Sequence, residues 1–186
     1  SAGLNRELTV YNMGFGVDPD RAFFLREFDA VSLLVDSGTT PRIDPWFEWS
    51  DGQFLVVPST LPEGTSYGAL RPPDSGDDIL DELRKSVAIF STLGEVHDKG
   101  IIHRALSPEN IYLQEDIDGY TVTVTSFWAA RKEDSPAGTM AVRLNNLRES
   151  AGFGDPIMAP ELALDYAFAD DTSDTYAVSM MLLARL

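Results

Sequence analysis

The stretch of residues 97–113, HDKGIIHRALSPENIYL, constrains the fold more than any other part of the chain. It follows a long amphipathic segment, and Gly100 is the kind of residue at which such a helix ends. An apolar pair at 101–102 then leads into a group of polar residues, and another apolar run follows at 111–113. The pattern predicts a helix end, a polar loop and a strand, with the candidates for chemistry concentrated in the loop.

The hydrophobic pattern of the whole chain predicts an α+β structure, with strands early and helices late. The predicted strands are 7–13, 43–48, 53–57, 111–113 and 120–124. The predicted helices are 21–35, 78–99 and a last helix that begins after Thr172 or Ser173. Residues 129–157 are predicted as a loop. The apolar residues expected to face the core are Phe24, Phe28, Val31 and Val35 in the first helix, and Leu80, Leu83, Val87 and Phe90 in the second.

Composition excludes several functional classes. The chain has 186 residues, which suggests one domain, and carries 30 acidic against 14 basic residues for a net charge of −16. Such a chain repels phosphate backbones, so we expect no nucleic-acid partner. There is no cysteine and there are only two histidines, which argues against a disulfide scaffold, a thiol nucleophile and a zinc site, so no metal is expected. Without a leader-like or membrane-spanning pattern, the expected location is cytoplasmic.

The polar loop resembles the catalytic loop of protein kinases, H-R-D-L-x-x-x-N. Four residues match it at the correct spacing: His103, Arg104, Leu106 and Asn110. The segment HRALSPEN also resembles, more loosely, kinase-like domains of large bacterial multidomain proteins.

Further landmarks of the protein kinase superfamily follow in the right order. Residues 158–161, ending in Glu161, resemble the A-P-E motif that closes the activation segment. Residues 173–177 resemble the start of the central helix of the larger lobe, and the resemblance gives Asp174 the role of bracing the catalytic loop. Upstream, Glu27 falls at the position of the glutamate on the αC helix of the smaller lobe. The resemblance therefore covers nearly the whole chain.

The resemblance implies a bilobal α+β fold with a reduced sheet in the N-lobe and a helical C-lobe truncated after the central helix. Residues 1–60 would form a partial N-lobe and hinge, and residues 61–186 a partial C-lobe. The hinge would offer the carbonyl of Pro58 and an amide near Thr60 to an adenine ring.

The positions that carry chemistry in the family are occupied by other residues. Ala105 stands where the family has the aspartate that accepts the substrate proton, and a methyl group cannot accept one. Ser126 stands at the metal-binding aspartate of D-F-G, and a neutral hydroxyl is a weak Mg²⁺ ligand. Trp128 replaces the glycine of that motif, so a bulky anchor stands at a flexible point.

Three further elements of phosphate binding are missing. The β3 lysine of the family aligns with Tyr11, or with Asn12 after a one-residue slip. The lysine after the catalytic aspartate is replaced by Ser107. Gly14–Gly16 lacks the spacing of a phosphate loop and is predicted to be a simple turn.

The remaining family-like residues are interpreted as structural. His103 and Arg104 are expected to support the loop, although in the family the arginine can also receive an activation-loop phosphate. Asn110 is expected to brace the loop by hydrogen bonds. Glu161 pairs in the family with an arginine from helices that follow the central one.

The sequence thus predicts a pseudokinase, a catalytically inactive kinase-like domain that acts by binding, as a scaffold or allosteric regulator of a protein partner or neighbouring domain. No cofactor is expected, and any ATP binding should be weak and independent of Mg²⁺. Two alternatives stay open: an atypical or weak serine/threonine kinase that retains ATP binding, and a nucleotide sensor without transfer activity.

Overall fold

The computed structural model describes residues 6–13, 19–132 and 157–186. Within these residues the chain is a mixed α+β structure with four α-helices and three small antiparallel sheets. The helices are α1 (Pro19–Leu34), α2 (Gly76–Asp98), α3 (Pro160–Leu164) and α4 (Asp171–Arg185). The strands are β1 (Arg6–Asn12), β2 (Phe47–Trp49), β3 (Phe54–Thr60), β4 (Thr65–Ser66), β5 (Ile101–Ile102), β6 (Ile111–Asp116), β7 (Gly119–Val124) and β8 (Arg131–Lys132). The predicted turn at Gly14–Gly16 and most of the predicted loop at 129–157 lie outside the described residues.

The first sheet has the strand order β1-β3-β2, with antiparallel pairing throughout. The hairpin between β2 and β3 turns at Ser50 and Asp51, which have positive φ angles, followed by Gly52. The strand predicted at 43–48 is shorter than expected and begins only at Phe47. Pro45 lies in its predicted course and has no amide to donate to a sheet, which accounts for the late start.

Helix α1 packs against one face of this sheet. Phe24 of the helix is buried together with Leu55 and Val57 of β3. Of the predicted core-facing residues of this helix, Phe24 and Val31 are buried and Phe28 is half-buried. Val35 lies beyond the helix end and is exposed. The predicted face of the helix therefore connects the sheet to the rest of the core. The last buried residue of this helix is Leu34, one position before the predicted Val35.

Helix α2 begins at its cap Ser75, whose hydroxyl accepts a hydrogen bond from the Asp78 amide at 3.2 Å, and ends before Gly100, which has a φ of +68°. The predicted core face is wrong for Leu80, Leu83 and Val87, which are exposed, whereas Phe90 is half-buried and packs against the main core. The buried residues of α2 form an offset stripe: Glu82, Ser86, Ile89, Thr92, Leu93 and Val96.

The stripe is offset because its first position is a buried carboxylate, which a hydrophobicity pattern cannot identify as core. Glu82 accepts a hydrogen bond from the Tyr67 hydroxyl and one from Arg185 Nε at 2.6 Å. The Arg185 guanidinium also donates to the Leu70 and Arg71 carbonyls. A buried charge is tolerated where it is paired and hydrogen-bonded in this way.

Helix α4 begins at Asp171, two or three residues earlier than predicted. Its cap is Asp170, whose carboxylate accepts a hydrogen bond from the Thr172 amide at 2.9 Å, and the Asp170 amide donates a hydrogen bond to the Ser173 hydroxyl at 3.2 Å. Val178 and Met181 are buried in the main core, whereas Leu183 and Leu186 are exposed. This helix thus packs one of its faces against α2 and the floor of the cleft described next.

Candidate functional site

A cleft of about 850 Å³ lies between the first sheet with α1 on one side and the loop before β6 on the other. The 3₁₀ turn Phe127–Ala129 closes its inner end. The sequence-predicted site residues that line it are Tyr11, Glu27, Ala105, Ser107, Asn110, Ser126 and Trp128. The structure therefore brings together, in one concave site, most of the positions at which the chain departs from the kinase motifs.

Tyr11 occupies the place that the resemblance gives to the phosphate-binding lysine. Its hydroxyl donates a hydrogen bond to Glu27 Oε2 at 2.7 Å, while the neighbouring Asn12 is exposed. The second carboxylate oxygen of Glu27 accepts the Phe127 amide at 3.1 Å. Glu27 of α1 therefore accepts hydrogen bonds from β1 and from the 127–129 turn, and both donors are neutral groups instead of a lysine.

This environment changes the ionisation of Glu27. Burial raises the pKa of the Glu27 carboxyl, and the nearby negative charge of Glu7 raises it further, against the lowering effect of the hydrogen bonds from Tyr11 and Phe127. The ionised form is therefore less favourable in the folded chain than in the unfolded chain.

The raised pKa has a consequence for stability that can be measured. A carboxyl whose pKa is raised on folding stabilises the fold below its unfolded pKa, and this contribution is lost as pH rises through the folded pKa. We expect Glu27→Gln, which keeps an acceptor and removes the titration, to gain stability relative to the wild type between pH 4.5 and pH 7.5. Urea unfolding at both pH values measures this. The prediction is contradicted if the free energy of unfolding of Glu27→Gln falls relative to the wild type at the higher pH. The control variant at an exposed position, Glu95→Gln, should show no relative gain.

The two catalytic positions carry neither a base nor a carboxylate. Ala105 presents a methyl group to the cleft, and Ser126 sits in a left-handed conformation with a φ of +67°. Within the described residues, no group of three or more histidine, aspartate or glutamate side chains is arranged to hold a metal ion. The arrangement can bind a molecule by shape and hydrogen bonds, but offers no proton acceptor at position 105.

Below the cleft, Asp174 at the start of α4 organises the loop backbone. Its carboxylate accepts the His103 amide at 2.7 Å and the Arg104 amide at 2.8 Å, and lies 3.1 Å from His97 Nε2. The side chain is only 1% exposed, so these bonds form away from water. The loop is thereby fixed from the helix beneath it.

His103 and Asn110 complete the bracing of the loop. The His103 ring is fully buried, packs against Phe127 at 4.6 Å between ring centres, and has Nε2 2.9 Å from the Thr125 carbonyl. Burial lowers the pKa of His103, which favours a neutral ring. Asn110 donates to the Ala105 carbonyl at 2.8 Å and accepts the Ser107 amide at 2.9 Å. Both side chains make contacts that hold the loop in shape.

Arg104 lies in a positively charged group beside the loop. Its guanidinium donates to the Ala129 and Tyr166 carbonyls, at 2.7 and 3.1 Å. Burial, followed by the positive charges of Arg26 and Arg131, lowers the pKa of Arg104 to about 10. Among the described residues no hydrogen-bond partner is found for Arg104 Nη2 or Arg131 Nε, although both atoms are buried. These donors could receive an anion.

Two predicted hinge contacts are taken by other groups. The Pro58 carbonyl accepts the Asp44 amide at 2.8 Å, and the Thr60 amide donates to the Arg42 carbonyl at 2.9 Å. Both residues lie within β3, and successive strand residues face opposite sides, so their neighbour Ser59 lines the cleft instead. The Pro58 carbonyl and the Thr60 amide are thus hydrogen-bonded within the protein, and the contact of the Pro58 carbonyl and an amide near Thr60 with an adenine ring stays a prediction.

Trp128 and Glu161 each contact two parts of the site. Trp128 is half-buried and borders both the main cleft and a second cavity of about 240 Å³, so its indole stands at the junction of the two. Glu161 at the start of α3 accepts a hydrogen bond from the Ser173 hydroxyl at 2.5 Å. This bond connects α3 to α4 where the family uses an arginine.

Sequence reasoning missed several residues of the cleft. Glu7 lines it from β1, and Thr125 supplies the carbonyl that lies 2.9 Å from His103 Nε2. The alternation along β1 could have identified Glu7, because it shares a strand face with Tyr11. No sequence signal marks Thr125, whose role is carried by its backbone.

Comparison with known proteins places the chain near serine/threonine kinases. It is 29% identical over 164 residues to serine/threonine-protein kinase pkn2 of Myxococcus xanthus, which covers 85% of this chain and 18% of that protein. It is 31% identical over 115 residues to the DNA damage-responsive serine/threonine-protein kinase RqkA of Deinococcus radiodurans, covering 60% and 17% respectively. Serine/threonine-protein kinase D of Synechocystis sp. is 32% identical over 91 residues, covering 46% and 16%. No protein-family model matches the chain.

The chain is therefore similar in sequence to serine/threonine protein kinases, and this similarity supports a protein kinase-like relationship. Its matched part spans less than a fifth of the length of these relatives. Within the described ranges, none of the helices combines the length and apolar character needed to cross a bilayer.

Proposed function

We propose that the chain forms a catalytically inactive protein-kinase-like domain that acts by binding, as a scaffold or an allosteric regulator of a protein partner or a neighbouring domain. The proposal includes a bilobal arrangement, with residues 1–60 as a partial N-lobe and hinge and residues 61–186 as a partial C-lobe. The observation that carries the proposal is the lining of the cleft. Tyr11 stands where phosphoryl transfer needs a cation, Ala105 where it needs a base and Ser126 where it needs a metal ligand.

Phosphoryl transfer depends on positioning and on neutralising charge, since the protein does little covalent chemistry. The missing base alone would remove a contribution of about 10²–10⁴-fold. The Tyr11 hydroxyl offers hydrogen bonding to Glu27 but no charge to the phosphates. The framework of Asp174, His103 and Asn110 supports a second candidate, a weak kinase that retains ATP binding, because it holds the loop in a defined shape.

We expect no transfer of phosphate from ATP to the chain itself or to generic protein acceptors. The measurement is incorporation of radiolabelled phosphate by purified protein with Mg²⁺ or Mn²⁺, beside an active serine/threonine kinase as a positive control. Incorporation that disappears in Asn110→Ala would establish a real activity in this cleft and refute the inactive reading.

An exposed apolar surface supports a protein partner. Val10 of β1 and Phe47 of β2 both pair with Val56 of β3, so they share one face of the first sheet. Leu8 and Trp49 extend this face, and all except Val56 are substantially exposed. Contiguous exposed apolar surface of this kind commonly marks interaction sites.

The positively charged group formed by Arg104, Arg26 and Arg131 supports regulation by a bound anion. Its buried donors without protein partners suit an anion, such as a phosphorylated side chain, which charge-assisted hydrogen bonds would bind strongly. This use follows the family resemblance, in which the same arginine receives a phosphate.

A further inference from the structure

The charge of the cleft is unusual for a site that would receive phosphate groups. Among the described residues that line it, the charged ones are Glu7, Glu27 and Glu109, and none is lysine, arginine or histidine. They come from three separate elements: β1, α1 and the turn Pro108–Asn110. Residues with carboxylate side chains therefore line the cleft from both of its sides, and a triphosphate placed there would meet negative charge without a lysine, arginine or histidine among the described lining residues.

The walls of the cleft are rich in aromatic side chains. Four half-buried aromatic residues line it, namely Tyr11, Phe28, Tyr112 and Trp128, while Phe24 and Phe127 are buried behind them. The face of an aromatic ring attracts cations, and flat ring systems stack well on such side chains. Aromatic walls combined with carboxylates match a ligand that is both flat and positively charged.

The Glu27 carboxylate is a half-buried polar group among the residues that line the cleft. Its oxygens are bonded to Tyr11 and to the Phe127 amide, which are both neutral donors. Burial and the neighbouring Glu7 together make its ionised form unfavourable. A positive group brought in by a ligand would relieve both effects, because opposite charge nearby stabilises a carboxylate.

We propose that this cleft binds a flat organic monocation, of the class of protonated aromatic amines, in preference to nucleoside triphosphates. The proposal rests on the proposed function, in that the cleft serves binding and not phosphoryl transfer. A metal ion is a poorer occupant, because the described carboxylates are not grouped for coordination. The cavity of about 850 Å³ has room for a ligand with several fused rings.

Three tricyclic probes of similar shape and different charge test the proposal at pH 8. Proflavine is a monocation, acridine is neutral and anthracene carboxylate is an anion. Binding is measured by calorimetry on the full chain, with ATP plus Mg²⁺ as a fourth ligand. We expect proflavine to bind at least about tenfold more tightly than acridine, and the anion and ATP to bind more weakly than acridine.

Variants locate the binding. Glu7→Gln and Glu109→Gln should each weaken proflavine binding by about threefold to tenfold and leave acridine binding unchanged, since they remove charge with little change of shape. Glu95→Gln, on the exposed face of α2 and outside the cleft, removes the same charge and should leave both unchanged. Circular dichroism on each variant establishes that it is folded.

Two results would overturn the inference. If Glu95→Gln weakens proflavine binding as much as Glu7→Gln does, the cation is held by the overall charge of −16 and not by the cleft. If ATP or the anthracene anion binds more tightly than proflavine, the charge preference is reversed. Neither result bears on phosphate incorporation, so failure of this inference is distinguishable from failure of the proposed function.

Discussion

Replacing Asp174 by alanine should lower the free energy of unfolding by about 3–5 kcal/mol, the range for breaking a buried charged network. The carboxylate accepts two backbone amides of the loop and lies against His97, all with little access to water. Removing it leaves the His103 and Arg104 amides buried without acceptors, and each costs about 1–3 kcal/mol. Urea unfolding followed by circular dichroism measures the loss.

Two further variants separate this network from a general effect at the helix start. Asp174→Asn keeps the shape and one acceptor, so it should cost less than the alanine variant. Asp171→Asn removes a carboxylate from the same first turn, where it is exposed, and should cost under about 1 kcal/mol. A loss below about 1 kcal/mol in Asp174→Ala would show that the loop finds other partners and that Asp174 does not hold the floor of the cleft.

The double variant Tyr11→Lys/Ser126→Asp should bind ATP with Mg²⁺ at least about a hundredfold more tightly than the unaltered chain, for which we expect a Kd of about 10⁻⁴ M or weaker. The lysine would stand where the Tyr11 hydroxyl now meets Glu27, within reach of a carboxylate that would orient it. The aspartate would supply a metal ligand at the inner end of the cleft. Calorimetry with and without Mg²⁺ measures both effects.

The matched control for this gain is Asn12→Lys/Ser126→Asp. It adds the same charges, but residue 12 is exposed and lies on the other face of β1, so it should gain little. Micromolar, Mg²⁺-dependent ATP binding by the unaltered chain would contradict the interpretation of the degenerate positions, because the present residues would then suffice.

Local signals predicted the framework of the fold well. The stop at Gly100, the hairpins and the order of elements follow from turn residues and hydrophobic spacing, which act within a few neighbours. The matching of His103, Arg104 and Asn110 to a known motif also indicated where the site would lie. These features depend on neighbouring residues along the chain, so they can be predicted from the sequence.

The features that sequence reasoning missed depend on contacts between distant residues. The core face of α2 was misassigned because the buried Glu82 is paired with Tyr67 and Arg185, which lie 15 and 103 residues away along the chain. The sequence also did not indicate that the Pro58 carbonyl and the Thr60 amide are hydrogen-bonded to Asp44 and Arg42. In both cases a polar group met a partner that no local pattern indicates.

The position of Asp174 also affects when the cleft can form during synthesis. Its bonds to the loop join residues separated by 70 and 71 positions along the chain. A nascent chain therefore carries the loop for a long interval before the carboxylate that holds its amides emerges, and contacts of such separation form late because a long loop must close first. The cleft floor is accordingly completed only after α4 has been made.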